Sequence, residues 1–183
     1  MPATAITIIH KYLRSELFGF SQQLFRAGPE DVSAIQSAME RTAWLLHGHA
    51  TQEEAQLEPK LRQQDEPAAD RLMNDHRRLE EELEQLTAFV RRLDPSQPDC
   101  VESLLQLNLN WNRFVSGYLA HLDDEERALF QPLSREATSL AIIAQSAVSQ
   151  GTEQGRAFLE RLWTVTTVRE REVIESEVRS RTK

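Results

Sequence analysis

Cysteine occurs once in this 183-residue chain, at Cys100, so no disulfide can close within it and a reducing compartment is permitted. Glycine and proline are scarce, six and seven residues, and they gather at breaks, which favours long helices over an all-β fold. No long hydrophobic run is present. Residues 1–20 carry Lys11, Arg14 and Glu16 among their apolar positions, so a signal-peptide core is not expected. The apolar stretch Leu140–Val148 falls far short of the roughly 20 residues that cross a bilayer. Basic residues are the minority: 21 Lys and Arg against 29 Asp and Glu give a net charge of −8 and a pI near 5.2. With no basic stripe to meet phosphates, nucleic acid is not an expected partner. Nor is a membrane, and the expected location is the cytoplasm. The densest acidic run, Glu80, Glu81 and Glu82 with Glu84, reads as a solvated helix face.

What the sequence does contain is helical periodicity. Ile6, Ile9, Leu13, Leu17 and Phe20 or Leu24 fall on one stripe that Gly28 and Pro29 end. A second segment, from about 30 to 64, turns Ile35, Met39, Leu45 or Leu46, and Leu57 inward. The third, about 67–93, places Leu72, His76, Leu79, Leu83 and Leu86 on one face. A loop rich in Asp and Pro follows at 94–99, and the fourth segment runs from about Cys100 to Phe130, with Pro132 beyond it. Four such helices with short connections predict an all-α fold, an up-down-up-down four-helix bundle over residues 1–135. Residues 136–183 are then a C-terminal helical extension, with one long amphipathic helix over 158–178 carrying Phe158, Leu162, Val165 and Val173. That helix could cover the bundle, form the seam of a homodimer or receive a partner.

The chain also repeats itself, and the repeat is written in potential metal ligands. His10, Leu13, Glu16 and Leu17 recur as His76, Leu79, Glu82 and Leu83. His49, Glu53, Glu54 and Leu57 recur as His121, Glu125, Glu126 and Leu129, with Pro59 answered by Pro132 after a one-residue slip. Four residues along a helix advance about 6 Å and overshoot a full turn by about 40°. His49 and Glu53 therefore share a face, as do His121 and Glu125. Two such pairs, facing each other with His10 and His76, could enclose two metal ions. Chance is a weak alternative. With 21 glutamates in 183 residues, two of five histidines sharing a Glu-Glu at one offset has odds of roughly two in a thousand. His47 stands outside the repeat and points about 200° away from His49, which suits a surface or outer-shell position.

These residues resemble the hemerythrin-like family, named for its His-His-Glu cation-binding signature, over roughly residues 5–133. The resemblance implies a four-helix bundle around two non-haem iron ions bridged by carboxylates. It also implies a small ligand: O2, peroxide or NO. Carried onto this chain, the metal ligands are His10, His49, Glu53, His76, His121 and Glu125, with Glu53 and Glu125 as bridges. The chain departs from the oxygen-carrying invertebrate members. Their third helix has His-x-x-x-His where this one has His76 and Glu80, and their last helix has an aspartate five residues after its histidine where this one has Glu125 after four. A thinner histidine set leaves more positions open to water, peroxide or substrate. Imidazole and carboxylate suit iron, manganese or zinc, and the lack of thiolates disfavours a soft metal. No glutamate precedes a histidine by three residues, as ferritin-like di-iron sites require, and the His-Glu-x-x-His protease motif is missing.

Tyr118 should lie near the metal face as a candidate catalytic residue, a phenol able to hydrogen-bond a bound oxygen species, or else a packing residue. Trp44, Trp111 and Trp163 read as core or interface. Three functions follow as expectations. The first is a di-iron protein that binds or reacts with O2, peroxide or NO in sensing, storage or detoxification. The second is a di-iron oxidase or catalase-like peroxidase. In the third, an interaction protein has a structural metal and its last helix does the work.

Overall fold

In the computed structural model, residues 5–130 and 153–172 are described. Every regular element among them is helical. Four long helices pack as a bundle: α1 (Ala5–Arg26), α2 (Val32–Gln56), α4 (Glu66–Arg91) and α5 (Cys100–Phe130). A short α3 (Glu58–Gln64) lies between α2 and α4, and α6 (Glu153–Val165) belongs to the C-terminal part. No helix among the described residues is long and apolar enough to cross a membrane. The chain divides into two compact units, Glu16–Asp124 and Met1–Ser15 with Glu125–Lys183.

The unit Glu16–Asp124 holds most of the apolar core. Leu17, Phe20 and Leu24 of α1, Ile35, Met39 and Leu46 of α2, Leu79, Leu83, Leu86 and Val90 of α4, and Leu107, Trp111 and Phe114 of α5 are all buried. Trp111 is fixed by chemistry as well as by burial. Its ring meets Phe20 edge-on at 4.7 Å, and its Nε1–H donates to Ser21 Oγ at 3.0 Å, which supplies the polar partner a buried indole needs.

The helix boundaries have local causes. Gly28 and Pro29 end the first helix and open a 3-10 turn, Pro29–Asp31, whose Asp31 carboxylate accepts from the Gly28 amide at 3.0 Å. The expected single helix over 30–64 is broken at Leu57. Pro59 has no amide hydrogen, and its ring collides with the carbonyl four residues back, so α2 closes at Gln56 and Pro59 opens α3. Asp65 then caps α4 by accepting from the Ala68 amide at 2.9 Å, with Pro67 in the first turn. At the other end of α4, the Gln36 side-chain amide donates to the carbonyls of Val90 and Leu93, 3.3 Å each, which satisfies acceptors left over by the helix end.

The other unit is smaller. Tyr12 of α1 and Phe158 of α6 are both buried and meet edge-on at 5.3 Å, and Lys11 pairs with Glu170 at 3.0 Å. The single helix expected over 158–178 is interrupted. It stops at Val165, and a new turn covers 168–172. Thr167 and Glu170 form a reciprocal cap: the Thr167 amide donates to Glu170 Oε2 at 2.6 Å and the Glu170 amide to Thr167 Oγ1 at 3.3 Å. This is the capping-box logic of a helix start. The expected positions Pro132, Leu140–Val148 and Val173 onward lie outside the described residues.

Candidate metal centre

The expected ligands come from four different helices, each placed by the apolar stripe beside it. His10 sits on α1 between Ile9 and Leu13, and His76 on α4 between Leu72 and Leu79. His49 and Glu53 are one turn apart on α2, and His121 and Glu125 one turn apart on α5. All six residues are buried, none more than 6% exposed. Burying ionisable groups costs several kcal/mol each unless opposite charge or coordination offsets it, and apolar side chains would fill the space more cheaply. Such a cluster is what a cation site requires.

Within Glu16–Asp124, Glu53 is central. Its Oε2 lies 3.3 Å from His49 Nε2 and 3.6 Å from His76 Nε2. The other nitrogen of His76, Nδ1, lies 3.4 Å from Glu54 Oε1. The rings of His76 and His121 meet edge-on with centroids 4.7 Å apart, and the Tyr118 ring meets His121 edge-on at 5.9 Å.

Within the other unit, His10 faces two carboxylates. Its Nε2 is 3.5 Å from Glu125 Oε2, and its Nδ1–H donates to Glu126 Oε1 at 3.0 Å. Arg14, one turn further along α1, donates to the same Glu126 oxygen at 2.7 Å. The bond from His10 holds Glu126 far below the usual carboxylate range, at about 2. Partial burial opposes this and the Arg14 bond adds to it.

Two groups of candidate ligands result: His49, Glu53, His76 and His121 within Glu16–Asp124, and His10 with Glu125 in the other unit. Every expected ligand falls in one group or the other, and all six are buried. The donor set, imidazole with carboxylate and no thiolate, fits a first-row divalent metal such as iron.

His47 and Glu80 are in neither group. The His47 side chain is 71% exposed and bonds Glu80 through Nδ1 at 2.9 Å. His47 and Glu80, with His76 and Tyr118, border a small pocket walled by Leu46, Ala50, Leu79 and Leu83, with room on the order of one water molecule. Tyr118 is thus buried and borders that pocket. Of the tryptophans, Trp111 is core and Trp44 is exposed.

Sequence reasoning gave no task to Glu54, Glu126 or Arg14. The signal was available for the glutamates, because the doublets Glu53-Glu54 and Glu125-Glu126 are part of the repeat.

The chain matches the Hemerythrin HHE cation binding domain over residues 1–133 and, in a second alignment, over 68–162. The start of the second match, near the beginning of α4, is in step with the internal repeat. No curated protein and no solved structure matches the chain.

Proposed function

The chain belongs to the hemerythrin HHE cation-binding family, and on that footing we propose that it carries two non-haem iron ions and reacts with O2, peroxide or nitric oxide. The observation that carries the reading is the burial of six histidine and glutamate side chains, gathered around Glu53 in one unit and Glu125 in the other. His10, His49 and His76 would bind through Nε2, each of which lies beside a carboxylate oxygen of Glu125 or Glu53. Glu53 and Glu125 are the proposed bridges.

When bound, iron supplies an electron source and sink for small oxygen or nitrogen species. The protein's part is to bind, orient and exclude water. Burial of every proposed ligand keeps bulk solvent away, which strengthens electrostatic interactions inside the site. The carboxylates offset the charge of the cations. Tyr118 places a phenol, able both to donate and to accept a hydrogen bond, at the edge of the pocket beside His76. It is the candidate for moving a proton toward a small oxygen ligand, and an oxidase or peroxidase-like form of the reading rests on it.

Metal analysis of the purified chain with an optical spectrum before and after exposure to oxygen tests the proposal. About two irons per chain and an oxygen-dependent spectrum are expected. Protein that folds and binds no transition metal would refute it.

A further inference from the structure

Each repeated histidine lies between the two members of the glutamate doublet that the other half of the repeat supplies. His10 has Glu125 at its Nε2 and Glu126 at its Nδ1, at 3.5 and 3.0 Å. His76 has Glu53 at its Nε2 and Glu54 at its Nδ1, at 3.6 and 3.4 Å. The same relation occurs in each compact unit by itself. The geometry follows from the helix: adjacent residues point about 100° apart, so one doublet can reach two edges of a ring presented by another helix.

The chemical consequence concerns the tautomer. A carboxylate accepting from Nδ1–H keeps the proton on that nitrogen, leaves the lone pair on Nε2, and makes the ring more basic. The two halves then differ in how well the carboxylate is itself held. Glu126 Oε1 also accepts from Arg14 at 2.7 Å. Four residues after His76, where the repeat places the counterpart of Arg14, stands Glu80. A second carboxylate there cannot support Glu54, and Glu80 is turned to His47 at 2.9 Å. The Glu54 carboxylate is 38% exposed and at 3.4 Å lies beyond a good hydrogen bond, whereas Glu126 is 27% exposed.

We propose that Glu126 and Glu54 are positioning residues that fix Nε2 of His10 and His76 toward the metal, and that Arg14 makes the His10 half the more firmly held. The inference rests on the metal-binding reading above.

The test is an anaerobic titration of the full-length chain with Co(II), followed optically and by the paramagnetically shifted imidazole N–H resonances. Wild type should bind two ions in two resolvable steps. Glu126→Ala should weaken the tighter step by roughly 10- to 100-fold, the usual effect of losing an outer-shell partner of a ligand, and should displace one N–H resonance. Glu126→Gln, which retains an acceptor oxygen, should recover part of the affinity. Arg14→Ala should weaken the same step by less, and should add little in a Glu126→Ala background, since the two act in series. Glu54→Ala should act on the other step, with a smaller change. Glu126→Gln and thermal melting of the metal-free variants guard against a folding defect. Two wild-type steps left unchanged by Glu126→Ala and Glu54→Ala would overturn this proposal while leaving the metal site in place. A wild-type chain that binds no Co(II) or iron would overturn both.

Discussion

The sharpest contrast the site offers is between two histidines two residues apart. His49 is buried with its Nε2 3.3 Å from Glu53, while His47 is 71% exposed and pairs with Glu80. His49→Ala removes a proposed ligand, so the affinity of its ion should fall by more than the roughly 10- to 100-fold that losing an outer-shell partner costs. The effect on stability can be bounded. At a metal concentration about 100 times its Kd, binding stabilises the fold by about 2.7 kcal/mol. For a chain of 183 residues, that raises Tm by about 5–11 °C. His49→Ala should lose that rise. Its metal-free form also lacks a buried imidazole beside Glu53, so the quantity to read is the Tm difference between metal-loaded and metal-free protein, not either value alone. His47→Ala removes an exposed ion pair, worth about 0.2–1 kcal/mol. It should shift both melting points by less than about 4 °C and leave their difference intact. Differential scanning calorimetry with and without Fe(II), under argon, measures both. Equal loss of the metal-induced rise in the two variants would show that the faces of α2 are wrongly assigned.

Other outcomes follow from the same geometry. Tyr118→Phe should keep the metal stoichiometry and slow peroxide consumption by the iron-loaded protein, measured by the loss of peroxide absorbance; an unchanged rate would assign Tyr118 to packing. Trp111→Ala should cost about 3–5 kcal/mol in urea denaturation, from a fully buried ring and its bond to Ser21. Removing residues after Gln150 should leave metal content close to two per chain, because every proposed ligand precedes residue 126. It should still lower Tm by uncovering the apolar ring of Tyr12 that Phe158 now covers. Complete loss of metal from a folded truncated chain would place the C-terminal part in the site. Sedimentation of the same truncation tests the homodimer proposed through the C-terminal helices.

The fold was legible because the apolar stripes are strong and the punctuation is chemical. Gly28-Pro29 and the Asp-Pro loop at 94–99 end helices for reasons that depend on one or two residues, and α1, α4 and α5 lie where periodicity puts them. Two boundaries were missed, and both had local causes visible in the chain. Pro59 breaks the helix expected over 30–64, because a stripe that continues in phase on both sides of a proline hides the lost amide bond. Thr167 with Glu170 starts a new turn inside the helix expected over 158–178. There the residues around Thr166 and Thr167 kept the apolar period, and a capping box looks like ordinary surface polarity until the backbone is seen.

The site was legible in a different way. Periodicity could say that His49 and Glu53 share a face, but a shared face is compatible with solvent as well as metal. The repeat sharpened the expectation of metal, because a pattern present twice must satisfy the same local geometry twice. Its limit is equally physical. A repeat reports what the halves have in common, so it pointed to Glu53 and Glu125 and passed over the place where the halves diverge. Arg14 in one half and Glu80 in the other carry opposite charge at equivalent positions. In three dimensions the first draws in Glu126 behind His10, and the second turns to His47. If two ions bind as proposed, halves that differ in this way should hold them unequally, with one position more tightly held and the other more open to exchange.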